Sequence, residues 1–325
     1  MCTIVTRLKK TRRTFLNKVE EKRKYSSKYL VEGTVTGRKK MLYVLAGYKP
    51  YLWNDVFGRI CAFQPEDMEV CIISSGKYCE QLSSICKRNN WVYVSTKLNN
   101  ICVASNIAIR LFPKAEYIFK LDEDIYLPEN YFEEMIKAYD YIESHEPCLI
   151  SYICPQLPLG FYGMHSFLER MNCLDEYEGK FGKHRIGGTA VNPNFRKSGQ
   201  VDCFIWEKIG NFDACAGSYF ADGFSYEACI TRSGIAAILF KRTFWEKIGG
   251  LKRFRGKGLG SEGDEGQITS FCALSFMPFF CVNNILVGHF AFGGAETEVL
   301  KLRQRKPEIF EFHEKDFRRG GEAVE

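Results

Sequence analysis

The sequence predicts an α/β fold, a mixed, mostly parallel sheet flanked by helices. Two observations carry that prediction. From Met41 onward, apolar runs of strand length alternate with segments of helical period, the signature of a sheet covered on both faces. The fourth such run, Tyr117 to Leu121, breaks off into Asp122-Glu123-Asp124. That puts an acidic triplet in a strand-to-helix loop, at the edge of an open sheet where ligands bind.

Residues 1–37 read as a basic arm closed by Gly33 and Gly37. Met41–Ala46 (MLYVLA) is the first buried strand and ends at Gly47; a helix follows over about Trp53–Phe63. Val70–Ser74 (VCIIS) is the second strand, ending in Ser75-Gly76, with a helix from Tyr78 to Asn89. Trp91–Ser95 (WVYVS) is the third, and Cys102–Phe112 is a helix stopped before Pro113. After the acidic strand, Pro128 suits the first position of a helix, and Phe132, Met135, Ile136 and Tyr139 recur at helical spacing. Cys148–Cys154 (CLISYIC) is a fifth strand.

Residues 155–233 show no clean period, as expected of a functional loop-rich stretch or one holding short elements. WEKIG occurs at Trp206 and again at Trp245, but nothing around the copies is self-similar, so no repeat is inferred. Ile235–Phe240 and Phe279–Val287 are strands, the second leading into Gly288-His289-Phe290 and a Gly293-Gly294 turn. From Lys301 the chain is charged, a helix running into a tail.

At 325 residues, 46% hydrophobic and 14% aromatic, the chain can bury a large core. No apolar run approaches the roughly 18 residues of a membrane span. The start, MCTIVTRLKKTRRTF, has no signal-peptide hydrophobic stretch, so a cytoplasmic location is expected. The 14 cysteines are scattered without a C-x-x-C pair. Cys71, Cys148, Cys154, Cys272 and Cys281 sit in apolar runs, as small core residues do.

The formal charge of +6 is concentrated: ten Lys or Arg lie between Arg7 and Lys28 against Glu20 and Glu21. Residues 7–28 therefore offer peripheral contact with an anionic membrane at its inner face, or form a solvated arm. No nucleic-acid-binding motif accompanies them, and nucleic acid is not an expected partner.

Several ligand classes fall away. No G-x-G-x-x-G follows the first strand and no Walker A sequence occurs, which excludes a dinucleotide fold and a P-loop ATPase. An EF-hand loop fails because Tyr126 and Leu127 stand where an oxygen ligand and a glycine are required. Along an extended chain Asp122 and Asp124 share one side, with Glu123 opposite. Two carboxylates facing one point hold a hard divalent cation and leave positions for water and phosphate.

Further on, Gly256, Gly258, Gly260, Gly263 and Gly266 surround Glu262, Asp264 and Glu265, just before a predicted helix at Gln267–Leu274. Those carboxylates either complement the helix dipole or form a mobile loop that presents a general base.

Taken in order, the D-x-D after the fourth strand, FWEKIGG leading to Asp264-Glu265, and VGHFAFG near the end resemble inverting GT-A glycosyltransferases of the family-two type. The resemblance covers roughly residues 40–295. It implies a GT-A fold, a UDP- or GDP-sugar donor and a Mn2+ or Mg2+ ion gripping the diphosphate. Carried over by position, it implies Asp122, Asp124 and His289 at the metal and Asp264 or Glu265 as the base. Ala46, Gly47, Ser75, Asn106 and Asp122 are then the donor-binding candidates. Ser75 stands near where an aspartate commonly meets the nucleotide base, which leaves the nucleotide open. The acceptor implied is a glycan or a lipid-linked saccharide.

The expected division is then 1–37 (arm), 38–155 (nucleotide-sugar half), 156–295 (acceptor and catalytic half) and 296–325 (helix and tail). A retaining GT-A enzyme, a sugar-phosphate nucleotidyltransferase and a non-catalytic sugar- or metal-binding module are the competing readings. AGYKPYLWN, after the first strand, is a poor match to a nucleotidyltransferase's glycine-rich basic loop.

Overall fold

The computed structural model describes residues 18–159, 161–187, 191–192, 199–229, 234–254, 263–291 and 293–312. The expected acidic loop's Gly256, Gly258, Gly260 and Glu262, and residues 7–17 of the basic arm, lie outside the described residues.

The predicted apolar runs form four parallel strands: β2 (Lys40–Leu45), β3 (Met68–Ser75), β4 (Val92–Thr96) and β5 (Tyr117–Asp122), in the order β4-β3-β2-β5. All eight residues of β3 are buried, as in a strand covered on both faces. Alternate side chains divide between two cores: Leu42 and Val44 join Ile72, Phe119 and Trp53 on one face, while Met41 and Tyr43 join Ile73 and Ile118 on the other. The chain steps outward from β2 to β3 and β4, then crosses back to β5 on β2's other side. The carboxyl ends of β2 and β5 therefore flank a topological switch point, with Leu45 in register with Asp122.

Beyond β5 the sheet turns mixed. The antiparallel β9 (Ala237–Lys241) pairs with β5, followed by β7 (Ile153–Gln156), β10 (Phe280–Leu286) and the edge strand β8 (Tyr226–Ala228). At the opposite edge β1 (Tyr29–Glu32) adds antiparallel to β4. Among the described residues this makes one nine-stranded sheet in which β2, β3, β4, β5, β7 and β10 run the same way. A two-stranded ribbon of β6 (Ile125–Tyr126) and β11 (Gly288–His289) lies beside it.

The first 37 residues are therefore not all arm. Tyr29, Leu30 and Val31 are exposed and carry no alternation, so β1 left no pattern to read. Its exit is pinned by Glu69, whose carboxylate accepts from the backbone N–H groups of Thr36, Gly37 and Arg38. Residues 18–23 are helical, and Lys24 is buried, its ammonium donating to the Gly249 carbonyl at 2.6 Å and to Glu21 at 2.5 Å. One basic residue of the stretch expected to face a membrane is thus internal.

Helices α1 (Trp53–Phe63), α2 (Glu80–Arg88) and α3 (Ile101–Leu111) connect the parallel strands. The Asn100 side chain caps α3 by accepting from the Val103 N–H. Helix α4 (Tyr131–His145) starts three residues after Pro128, behind Asn130 in the left-handed region (φ 64°), so the proline sits in the loop. The stretch expected to be loop-rich holds α5 (Phe161–Arg170), α6 (Leu174–Phe181), α7 (Gln200–Ile209) and α8 (Phe212–Ala221). These helices run 8 to 10 residues; α7 buries six of its ten, and α8 buries Phe212, Cys215, Ala216 and Tyr219 but exposes Ala214, Gly217 and Phe220 instead of charged residues.

Helices α9 (Arg242–Ile248), α10 (Asp264–Ser275) and α11 (Glu296–Arg305) complete the set, and α10 starts three residues before its expected start. Cys71, Cys154, Cys272 and Cys281 are buried in the cores, with Cys148 half-buried. Among the described residues no helix is long and apolar enough to cross a membrane.

Candidate functional site

A cleft of about 480 Å3 opens at the switch point. Ala46, Ser75, Asp122, Asp124, Asp264, Glu265 and His289 all line it, although Asp122 and His289 stand far apart in the chain. Five of them arrive on three separate structures: the turn after β5, the first turn of α10, and the β6–β11 ribbon.

The turn after β5 is built on Glu123. Its carboxylate, 6% exposed, accepts from the backbone N–H groups of Gly47 (2.9 Å), Tyr48 (2.9 Å) and Lys49 (3.1 Å) and from the Trp53 indole N–H (2.7 Å). Gly47 supplies the positive φ (136°) that lets three successive N–H groups converge. Glu123 lines the same cleft as Asp122 and Asp124, and its carboxylate fastens the β2 turn to the β5 turn. Gly47 enters the site through this anchor.

Asp122 and Asp124 each meet a lysine that sequence reasoning missed. Asp122 Oδ1 accepts from Lys120 Nζ at 2.7 Å, and the same ammonium donates to the Ile235 carbonyl at 2.7 Å. Burial alone would lower the Lys120 pKa, but Asp122, Asp264 and Glu265 outweigh it and raise it. Asp124 Oδ2 accepts from Lys49 Nζ at 2.6 Å and lies 3.3 Å from His289 Nε2. Burial would raise the Asp124 pKa, yet His289 and Lys49 together hold it well below the usual carboxylate range. Its partner moves the other way: burial disfavours the imidazolium, but Asp124 and Asp122 lift the His289 pKa above its ordinary value.

The ribbon explains how His289 reaches Asp124. His289 pairs with Ile125, and the Phe290 N–H donates to the Asp124 carbonyl at 2.9 Å, so the backbone fixes the imidazole beside the turn. The expected trio does not converge as a ready-made cage. Among the described residues no three His, Cys, Asp or Glu side chains are grouped to hold a metal ion. Asp124 and His289 form a pair, and Asp122 is drawn to Lys120.

Asp264 is the first residue of α10, behind Gly263, and is buried; Glu265 is half-buried. Burial raises the Asp264 carboxyl pKa, and the opposing pull of Lys120 does not cancel it. A carboxylate moved toward neutrality is better suited to accept a proton than an ordinary aspartate.

Asn106 requires correction as a donor-binding candidate. It is fully buried on α3, away from the cleft; its amide donates to the Lys24 and Leu251 carbonyls and accepts from the Leu251 N–H. It ties the N-terminal segment to the chain after α9. Ser75 does line the cleft, but its hydroxyl accepts from the Asn100 N–H at 2.7 Å, which positions the start of α3.

No family model matches the chain, and no curated protein matches it. Among solved structures it is similar to the mannosyltransferase PcManGT from Pyrobaculum calidifontis in complex with GDP-Man and Mn2+, at 13% identity and a TM-score of 0.46, covering 95% of this chain and 73% of that one. It is also similar to TarS from S. aureus, at 11% identity and a TM-score of 0.44; the match covers 86% of this chain and 41% of the TarS chain. TarS 1–349 in complex with UDP matches at 13% identity and a TM-score of 0.29, over 36% of this chain and 35% of that one.

Proposed function

We propose that this chain is an inverting, metal-assisted glycosyltransferase of GT-A type that moves a sugar from a UDP- or GDP-sugar to a hydroxyl acceptor. The observation that carries the reading is the gathering of Asp122, Asp124, His289, Asp264 and Glu265 around one cleft at the switch point of the sheet.

The residues fit a Mn2+ or Mg2+ ion. A carboxylate oxygen and an imidazole nitrogen 3.3 Å apart are two donors, and an ion of this kind takes its remaining ligands from phosphate and water. When bound, the ion offsets the charge of the departing nucleoside diphosphate. Asp122, held by Lys120, would accept from the ribose hydroxyls. Asp264 takes the proton of the acceptor hydroxyl as its oxygen bonds to the anomeric carbon and the bond from that carbon to the diphosphate oxygen breaks. Attack opposite the diphosphate inverts the centre.

A panel of UDP- and GDP-sugars with Mn2+ or Mg2+ tests the reading. At least one donor is expected to be hydrolysed slowly, with a chelator abolishing the release of nucleoside diphosphate and NMR of the released sugar showing the inverted anomer. If no sugar nucleotide is turned over and neither UDP nor GDP binds, the reading fails. A glycan or lipid-linked saccharide is the proposed acceptor, with residues 7–28 bringing the enzyme to an anionic membrane. Each basic residue contributes on the order of 1 kcal/mol near such a surface, screened by salt. The protein is thus expected to co-sediment with anionic vesicles, to ignore neutral ones, and to be released by high salt. Indifference to anionic vesicles at low salt removes the membrane part of the proposal.

A further inference from the structure

Lys49 is a cation already seated where a divalent ion would bind. Its ammonium lies 2.6 Å from Asp124 Oδ2 and 2.5 Å from Glu296 Oε1, bridging the turn after β2 to the first residue of α11. His289 Nε2 addresses the same Asp124 oxygen. The ammonium takes up a lone pair of that oxygen and sets a positive charge where an entering metal ion would meet it.

Of the two occupants, Lys49 is the one able to leave. His289 is held by the ribbon and its side chain is 11% exposed, whereas the Lys49 side chain is 20% exposed on a flexible four-carbon stem. The Lys49 backbone stays in place through its N–H bond to Glu123, so the motion is confined to the side chain.

We infer that Lys49 is the resident counter-ion of the proposed donor site, guarding Asp124 against a divalent cation until a nucleoside diphosphate arrives and draws the ammonium onto its own oxygens. The inference rests on the metal site proposed above and adds a coupling to it. A divalent ion entering alone would crowd Lys49 in a pocket where Asp122 is already paired with Lys120 and Asp124 with Lys49 and His289. A diphosphate brings the negative charge that both cations need. Metal and nucleotide therefore bind together, each weakly when alone.

Lys49→Met keeps the stem and removes the charge. Binding of Mn2+ alone is followed by the loss of the free-ion EPR signal, and binding of UDP or GDP at saturating Mn2+ by calorimetry. The variant is expected to bind Mn2+ alone about tenfold more tightly than the wild type, within the usual range of coupling between two ligands. It is expected to bind UDP or GDP with Mn2+ more weakly, and the opposite signs are what mere loss of packing would not produce. Lys49→Arg should keep the wild-type pattern, and Lys49→Gln repeats the test should the methionine variant fold poorly. If the uncharged variants bind Mn2+ alone no better than wild type, while Asp124→Asn abolishes Mn2+-dependent nucleotide binding, the counter-ion role is overturned and the metal site stands. If wild type and variants all fail to bind Mn2+ with either nucleotide, both fall.

Discussion

Asp264→Asn is expected to lower sugar transfer by about a hundredfold or more and to leave UDP or GDP affinity unchanged. In the proposed reaction the lost group acts on the acceptor proton and other residues hold the donor, so the effect is expected to be confined to the rate. The same substitution makes an unusual stability prediction. Burial raises the Asp264 pKa above its ordinary 3.8, so the folded protein binds this proton more tightly than the unfolded chain does. Stability then falls as pH rises from the ordinary aspartate value through the raised folded value, and above it the charged carboxylate is a net liability to the fold. Asparagine carries no such charge. The variant should therefore be at least as heat-stable as wild type at neutral pH, with the difference growing as pH is raised through that window. Initial rates, nucleotide titration and thermal unfolding across pH check all three parts. A slow variant that is also markedly less stable points to a structural role. If Glu265→Gln is slow and Asp264→Asn is not, the base lies one residue along.

Much of this arrangement was legible in the sequence, for identifiable reasons. Strands β2 to β5 are buried on both faces, so they read as continuous apolar runs, and the point where β5 turns acidic marks the edge of the sheet. Asp122, Asp124, Asp264 and Glu265 stand at a strand end and a helix start, His289 is implied by the resemblance, and all line one cleft. Lys49 and Lys120 could not be found in that way. The meaning of Lys49 depends on contact with Asp124, 75 residues away, and on Glu296 beyond it, neither of which leaves a local pattern. Asn106 misled for the same reason. Nothing in the helix ICVASNIAIRL shows that the partners of Asn106 are backbone groups of two distant segments. Helices α6 and α8 stayed hidden because α6 buries only Tyr177 and α8 exposes Ala214, Gly217 and Phe220 in place of charged residues, so neither shows a clear polar stripe.

Glu123→Ala should be the most destabilising single change in the site. Glu123 looked like the spare member of the acidic triplet, yet its carboxylate is the common acceptor for Gly47, Tyr48, Lys49 and the Trp53 indole. Truncation leaves four donors facing a space that was 6% exposed. Each buried donor left without a partner costs about 1–3 kcal/mol. Some of them regain water once the side chain is gone, so a net loss on the order of 3–5 kcal/mol is expected. Glu123→Gln should fall between the two proteins, because its amide offers one accepting oxygen and turns an N–H2 group toward other donors. Urea unfolding measures the difference as a lower midpoint at an unchanged slope. A loss below about 1 kcal/mol would mean that the turn after β2 is held by its chain connections and packing. Conditions that keep Glu123→Ala folded give a second readout. The turn carries Lys49 and faces Asp124, so nucleotide binding should weaken even though no predicted donor-binding side chain has been removed.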